Sequence, residues 1–118
     1  MTKHDQEKFI PLAPAALHIL LALAAEDLHG YAIMQEVARQ SEGLYKLGPG
    51  TLYDNLQRLL DQGLVREMGG RPSDTDSRRR YYRLAAAGRS VLAAEVKRLE
   101  EVVHEARLRL PALQRERA

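Results

Sequence analysis

The sequence predicts a mainly α-helical domain carrying a two-stranded β-hairpin and ending in a long helix. Apolar residues recur at helical spacing over most of the chain, from Leu17 to Leu23, Ile33 to Val37, Leu52 to Leu60 and Leu92 to Leu110. Two short stretches, Leu64–Met68 and Arg80–Leu84, alternate with period two instead. Aromatic residues make up only 5% and Trp is absent, so the core must be aliphatic, which suits packed helices better than a sandwich. At 118 residues the chain has room for one modest core and therefore one domain.

Residues 1–9 show no periodicity and read as a flexible arm. Ile10, Leu12 and Pro14 introduce a first helix from Ala15 to about Ala25, apolar on nearly every side. A polar break at Glu26–His29 leads to a second helix, Tyr31–Gln40, closed by Ser41-Glu42-Gly43. The third helix opens at Gly48-Pro49-Gly50-Thr51-Leu52-Tyr53 and runs to Gln62-Gly63. Pro49 fits a first helical turn because its missing N–H has no intrahelical partner there, and Gly48 and Gly50 leave the backbone on either side open to close approach. Leu52, Leu56, Leu59 and Leu60 share one face, while Thr51, Asp54, Asn55, Gln57, Arg58 and Asp61 fill most of the rest. Two short helices joined by a turn, the second with an open polar face, form a helix-turn-helix arrangement.

The two strands enclose a polar loop, Gly69–Ser77, rich in turn formers. If Leu84 faces the core then Tyr82 does too, which puts Arg79, Tyr81 and Arg83 on the outer face. From Ala85 the chain is helical again. Leu92, Val96, Leu99, Val103, Ala106 and Leu110 step by four and three alternately, with Lys97–Glu101 and Glu105–Arg109 as flanking pairs. A helix this long, regular and terminal predicts a dimer seam, against the plainer alternative of a helix packed only on its own domain. Pro111 ends or kinks it near Leu110, and Leu113 continues the stripe if the chain bends. The expected units are an arm over 1–9, a helix-turn-helix domain with its hairpin over 10–84, a dimerisation helix over 85–113 and a frayed tail over 114–118.

Charge is unevenly spread. Glu26–Gln62 holds three basic residues against six acids, whereas Gly63–Leu84 holds six arginines against Glu67, Asp74 and Asp76. The overall net charge of +2 permits an anionic partner without demanding one, but the hairpin concentrates the positive field. Cysteine is absent, which excludes disulfides and thiolate metal sites. The first residues lack the layout of a secretory signal, and the longest apolar run, Leu17–Ala25, is about half the ~20 residues of a membrane span. A cytoplasmic protein with no membrane partner is expected. His4, His18, His29 and His104 are scattered without ligand spacing, Asp74-Thr75-Asp76-Ser77 lacks the glycine and distal Glu of a calcium loop, and no lysine follows Gly48-Pro49-Gly50 to make a phosphate-binding loop. No nucleophile, base and oxyanion donor assemble, so neither an enzyme nor a cofactor or metal is expected.

The order of helix, helix, reading helix, two-stranded wing and long terminal helix resembles the PadR family of winged helix-turn-helix transcriptional regulators. The resemblance rests on the Leu17–Leu23 helix, His29-Gly30-Tyr31-Ala32-Ile33, Pro49-Gly50-Thr51-Leu52-Tyr53, Leu56 with Leu59, Gly63-Leu64-Val65, and Tyr81-Tyr82-Arg83-Leu84 followed by Gly88. It covers roughly residues 12 to 92, and the single terminal helix is similar to the smaller members. Ala13 and Ala85 depart from it, standing where the family has Ser or Thr before the first helix and Thr after the wing. Each forgoes an N-cap bond worth about 1 kcal/mol.

The resemblance implies a homodimer on an inverted-repeat operator in double-stranded DNA, a repressor released by a small aromatic or drug-like effector, with half-sites about one helical turn apart. Gly50 and Thr51, at a helix N-terminus, are assigned to phosphate. Tyr53 reaches phosphate with its hydroxyl or else packs at the edge of the Leu56/Leu60 stripe. Gln57 is the best candidate for an adenine edge and Asn55 a weaker one. Arg58 counts among the DNA-contacting residues and also partners Asp54 on the same face. Arg71, Arg78, Arg79 and Arg80 form the wing patch. His18 is a weak candidate for an effector site and more readily a satisfied core histidine. A winged helix that binds protein instead of DNA is the rival, kept open by Asp54 and Asp61 on the reading face.

Overall fold

The computed structural model describes residues 2–69 and 79–110. In chain order these form α1 (Lys3–Glu7), α2 (Pro14–Ala25), β1 (Leu28–His29), α3 (Gly30–Gln40), α4 (Pro49–Asp61), β2 (Val65–Met68), β3 (Tyr81–Leu84) and α5 (Ala86–Arg109). The core lies where α2, α3, α4 and the start of α5 meet, filled by Ile19, Leu20, Ile33, Val37, Leu52, Leu56, Leu64 and Val91.

Local chemistry sets the helix ends. Pro14 and Pro49 each stand in a first turn, and neither Ala13 nor Gly48 supplies a side-chain cap. Ala85 likewise leaves α5 uncapped. α4 stops in a Schellman motif: Leu64 N–H donates to Leu59 O and Gly63 N–H to Leu60 O, both at 3.0 Å. Gly63 has φ of +75°, which its lack of a Cβ permits, and the turn drops Leu64 into the core.

Three differences from the sequence reading have physical causes. The first segment is not an aperiodic arm: α1 is held by a capping box in which Thr2 Oγ1 accepts from Asp5 N–H and the Asp5 carboxylate accepts from Thr2 N–H. The sheet has three strands rather than two, in the order β1-β3-β2, all antiparallel. β1 is only two residues long, too short for any period to show. It pairs Leu28 with Tyr82 and His29 with Tyr81, and so covers Tyr81, which is buried rather than outward-facing. The His29 and Tyr81 rings meet edge-on with centroids 5.5 Å apart. Arg83 does face out, where its guanidinium donates to Asp27 Oδ1 and Oδ2 at 3.1 and 2.8 Å.

α5 divides into two functional lengths. Its first half belongs to the core through Val91, Leu92 and Glu95, so Leu92 is a core residue and does not extend the exposed seam. Glu95 is fully buried; it accepts from Leu12 N–H at 2.6 Å and from Arg98 Nε at 2.5 Å, clipping the segment before α2 to α5. From Val96 onward the apolar stripe is open to solvent: Val96 is 37% exposed, Val103 45% and Leu110 53%, with Leu99 and Ala106 half-buried between them. Val102 is exposed along the edge of this stripe, whereas Leu108 is exposed on the opposite side of the helix. Glu105 and Arg109 form the expected ion pair at 2.9 Å, while none joins Lys97 and Glu101. Leu110 caps α5 as Pro111 requires. Leu113 and the tail 114–118 lie outside the described residues.

Candidate nucleic-acid interface

α4 is pinned on its inner side by Leu52, Leu56 and Leu59 and presents its opposite side to solvent. At about 3.6 residues per turn, Gly50, Asp54, Gln57 and Asp61 fall along the middle of that outer strip. All four are exposed, as are Thr51 and Arg58 beside them. Gly50 and Thr51 occupy the first turn, where N–H groups have no intrahelical acceptor. A Cβ on Gly48 or on Gly50 would meet nothing within 4 Å, and neither residue has a positive φ. Neither the fold nor the backbone conformation therefore demands glycine at these two positions.

The remaining side chains of α4 are sorted by their contacts. Asn55 Nδ2 donates to Thr51 O at 2.8 Å, and Asn55 is half-buried beside a hollow shared with Phe9, Ala13 and Gln62, on the flank of the strip. Arg58 borders the same hollow and makes no ion pair with Asp54, so the expected partnership is absent. The bond that does form is Gln57 Nε2 to Asp61 Oδ1 at 2.9 Å. Tyr53 lies on the other flank, half exposed, its phenol laid over the start of α3; a Cβ on Gly30 would collide with the Tyr53 hydroxyl. Tyr53 is thus a packing residue whose exposed edge still faces solvent.

That contact brings α3, α4 and the sheet around one notch lined by Tyr31, Tyr53, Arg79 and Arg80. His29 caps α3 by accepting from Ala32 N–H on Nδ1 at 3.2 Å, which leaves the proton of a neutral ring on Nε2. Arg79 Nη1 stands 3.4 Å from that nitrogen, an approach of two donors and hence packing rather than a hydrogen bond. Arg80 pairs with Glu67 at 3.3 Å, with both side chains largely exposed. Arg71 and Arg78 lie outside the described residues. His18 has structural partners, Gln40 Oε1 at 3.1 Å from Nδ1 and the stacked Tyr45 ring at 5.3 Å.

Two participants escaped the sequence reading. Tyr31, 62% exposed, stands at the mouth of the notch. His29 is a helix cap, a role the sequence does not signal because His is an uncommon capping residue.

A protein-family model described as the transcriptional regulator PadR-like family matches residues 19–94, from within α2 into α5. The chain belongs to the PadR-like family of transcriptional regulators. It is 38% identical over 97 residues to the transcriptional regulator Rv3488 of Mycobacterium tuberculosis, spanning 79% of this chain and 82% of that one. Its fold is similar to that of a PadR-like transcriptional regulator from Bacillus cereus, with a TM-score of 0.69 and 19% identity over 80% of this chain and 89% of the other. It is also similar to Bacillus subtilis PadR in complex with operator DNA, with a TM-score of 0.63 and 21% identity over 73% of this chain and 48% of the other. The PadR-like family is one of regulators, not of enzymes. Among the described residues no helix is long and apolar enough to cross a membrane.

Proposed function

We propose that this PadR-like chain is a sequence-specific DNA-binding repressor. It acts as a homodimer that sets one copy of α4 into each of two successive major grooves of an inverted-repeat operator. The observation that carries this is the pair of glycines flanking Pro49. They leave open, at the N-terminus of α4, space that none of the described residues occupies, beside N–H groups suited to an anion. Gly50 and Thr51 then hold phosphate, Gln57 reads a base edge, and the arginines of the wing supply affinity that does not depend on sequence. The exposed half of α5, Val96–Leu110, provides the surface for pairing with a second copy.

An effector that releases the operator is part of the same reading. A cleft between α1 and α5, lined by Gln6, Ile10, Ala94, Lys97 and Arg98 on the side of α5 away from the Val96/Leu99/Val103 stripe, offers such a molecule a place. A thermal-shift screen of aromatic acids and cationic drugs, repeated with operator DNA, tests it: an inducer must stabilise the free protein and weaken DNA binding.

Asp54 and Asp61 favour a second reading, in which the outer face of α4 binds a protein. A gel shift with the DNA upstream of the chain's own gene separates the two. Retardation that weakens with added salt is expected, and failure to bind any duplex even at low salt would favour the protein-binding module.

A further inference from the structure

The pair formed by Gln57 and Asp61 does more than the fold asks of it. A carboxylate can only accept, so Gln57 must turn its NH2 group towards Asp61, four residues further along α4, and its carbonyl oxygen away. The two ends of an amide, so alike in shape, are here told apart by the chemistry of the partner. Both side chains are exposed, and Asp61 is the last residue of α4, where the helix dipole disfavours a negative charge. An acid at that position is a poor device for stabilising the helix. Its effect is on direction: the amide donor is aimed along α4 and the acceptor back.

We propose that Asp61 is a positioning residue for base reading. It commits the Gln57 amide to one orientation, so that Gln57 distinguishes an A·T pair from the reversed T·A pair. The proposal rests on the DNA-binding function above and deepens it. In the major groove adenine presents N7 as an acceptor beside the N6 amine as a donor. Asp61 takes one of the two amide N–H groups, and the other remains, with the carbonyl oxygen, for these two atoms. An amide whose donor and acceptor are held in a fixed order fits them in one strand direction only. A glutamine free to turn its amide over can instead donate to the thymine O4 that the reversed pair presents, and so discriminates less. Holding the amide before binding also removes a rotation that binding would otherwise have to freeze.

Selection from a randomised duplex library with the full wild-type chain and with Gln57→Ala identifies the base pair that Gln57 reads. Affinity is then measured for that pair in both orientations. The wild type is expected to prefer one orientation by roughly ten-fold. Asp61→Ala is expected to bring the ratio within about two-fold, and Asp61→Glu, which keeps a carboxylate within reach of Gln57, to restore most of it. Loss of the Asp61 charge raises affinity for every duplex alike, which leaves the ratio untouched, so the ratio alone reports the orientation. An Asp61→Ala chain that melts like the wild type and keeps the wild-type ratio overturns the proposal. So does a Gln57→Ala chain that selects the same sequences as the wild type. A wild-type chain that binds no duplex at low salt removes the DNA-binding function itself, and the proposal with it.

Discussion

Replacing Glu95 should be the most damaging single change to a charged residue in this chain. Its side chain is fully buried, yet its carboxylate is satisfied twice, by Leu12 N–H and by the Arg98 guanidinium. Glu95→Ala leaves the part-buried Leu12 N–H without an acceptor, a loss of about 1–2 kcal/mol. It also strips Arg98 of its partner, but that side chain is 35% exposed and water screens it, so the further loss is held to about 1 kcal/mol. With the small void left behind, the total is about 3 kcal/mol. An unfolding entropy of about 2.1 cal/mol/K per residue converts this, for 118 residues, into a Tm lowered by about 12 °C. Glu95→Gln keeps an acceptor for Leu12 and should lose about half as much.

The pH dependence carries its own sign. The Arg98 hydrogen bond, opposed by desolvation and aided by the Leu12 N–H, holds the Glu95 carboxyl below its usual value. A depressed carboxyl contributes stability that is present above the unfolded value of about 4.3 and is lost as pH falls through the lower folded value. The wild type should therefore lose its advantage over Glu95→Gln below about pH 4. Thermal melts at one protein concentration, at pH 7 and pH 3.5, make the comparison. A Glu95→Ala chain melting within two or three degrees of the wild type at pH 7 would refute the clasp between the pre-α2 segment and α5.

Three further outcomes follow from the interface. Gly50→Ala should leave the Tm unchanged or slightly raised, because a Cβ there meets open space, while weakening duplex binding several-fold in a gel shift. Converting Arg78 and Arg79 to Ala should weaken binding to all duplexes and flatten the dependence of log K on log salt by about one to two units, read by fluorescence anisotropy at several salt concentrations; unchanged binding at moderate salt would remove the wing from the account. Val103→Asp, at the centre of the exposed stripe of α5, should convert a dimer to a monomer by light scattering without lowering helix content, since Val103 is not a core residue of its own domain.

The legible features were those that one helix face or one local motif determines. The stripes Leu52/Leu56/Leu59 and Ile33/Val37 are spaced for burial and are buried, and Gln62-Gly63 marks a helix stop that the Schellman bonds confirm. What stayed hidden depends on contacts distant in sequence. β1 exists because β3 offers it a partner more than fifty residues later, and Tyr81 is buried where β1 lies beside it. Glu95 looks like any exposed acid of a charged helix until Leu12 and Arg98 are brought to it. Leu92 continues the heptad of the seam, but periodicity along a helix cannot say where the helix leaves its own core. The Asp54–Arg58 pairing failed for a related reason: spacing of four makes a contact available, and Arg58 instead lies on the flank of α4 beside the pre-α2 segment.

The charges of α4 bear on how specificity would arise. Asp54 and Asp61 stand on its outer strip, and neither is joined to an arginine among the described residues. An acid near the DNA backbone repels phosphate whatever the sequence, so it weakens random binding in full. At the correct site the same acid, or the glutamine it holds, gains a base-edge contact worth about 1–3 kcal/mol that offsets the repulsion. The acids would therefore lower affinity everywhere except at the operator, which widens the ratio between specific and random sites without any increase in operator affinity. Such a scheme works only if the grip on phosphate comes from elsewhere in the molecule. The arginines flanking β3 can supply it, and a second copy joined through α5 would double it.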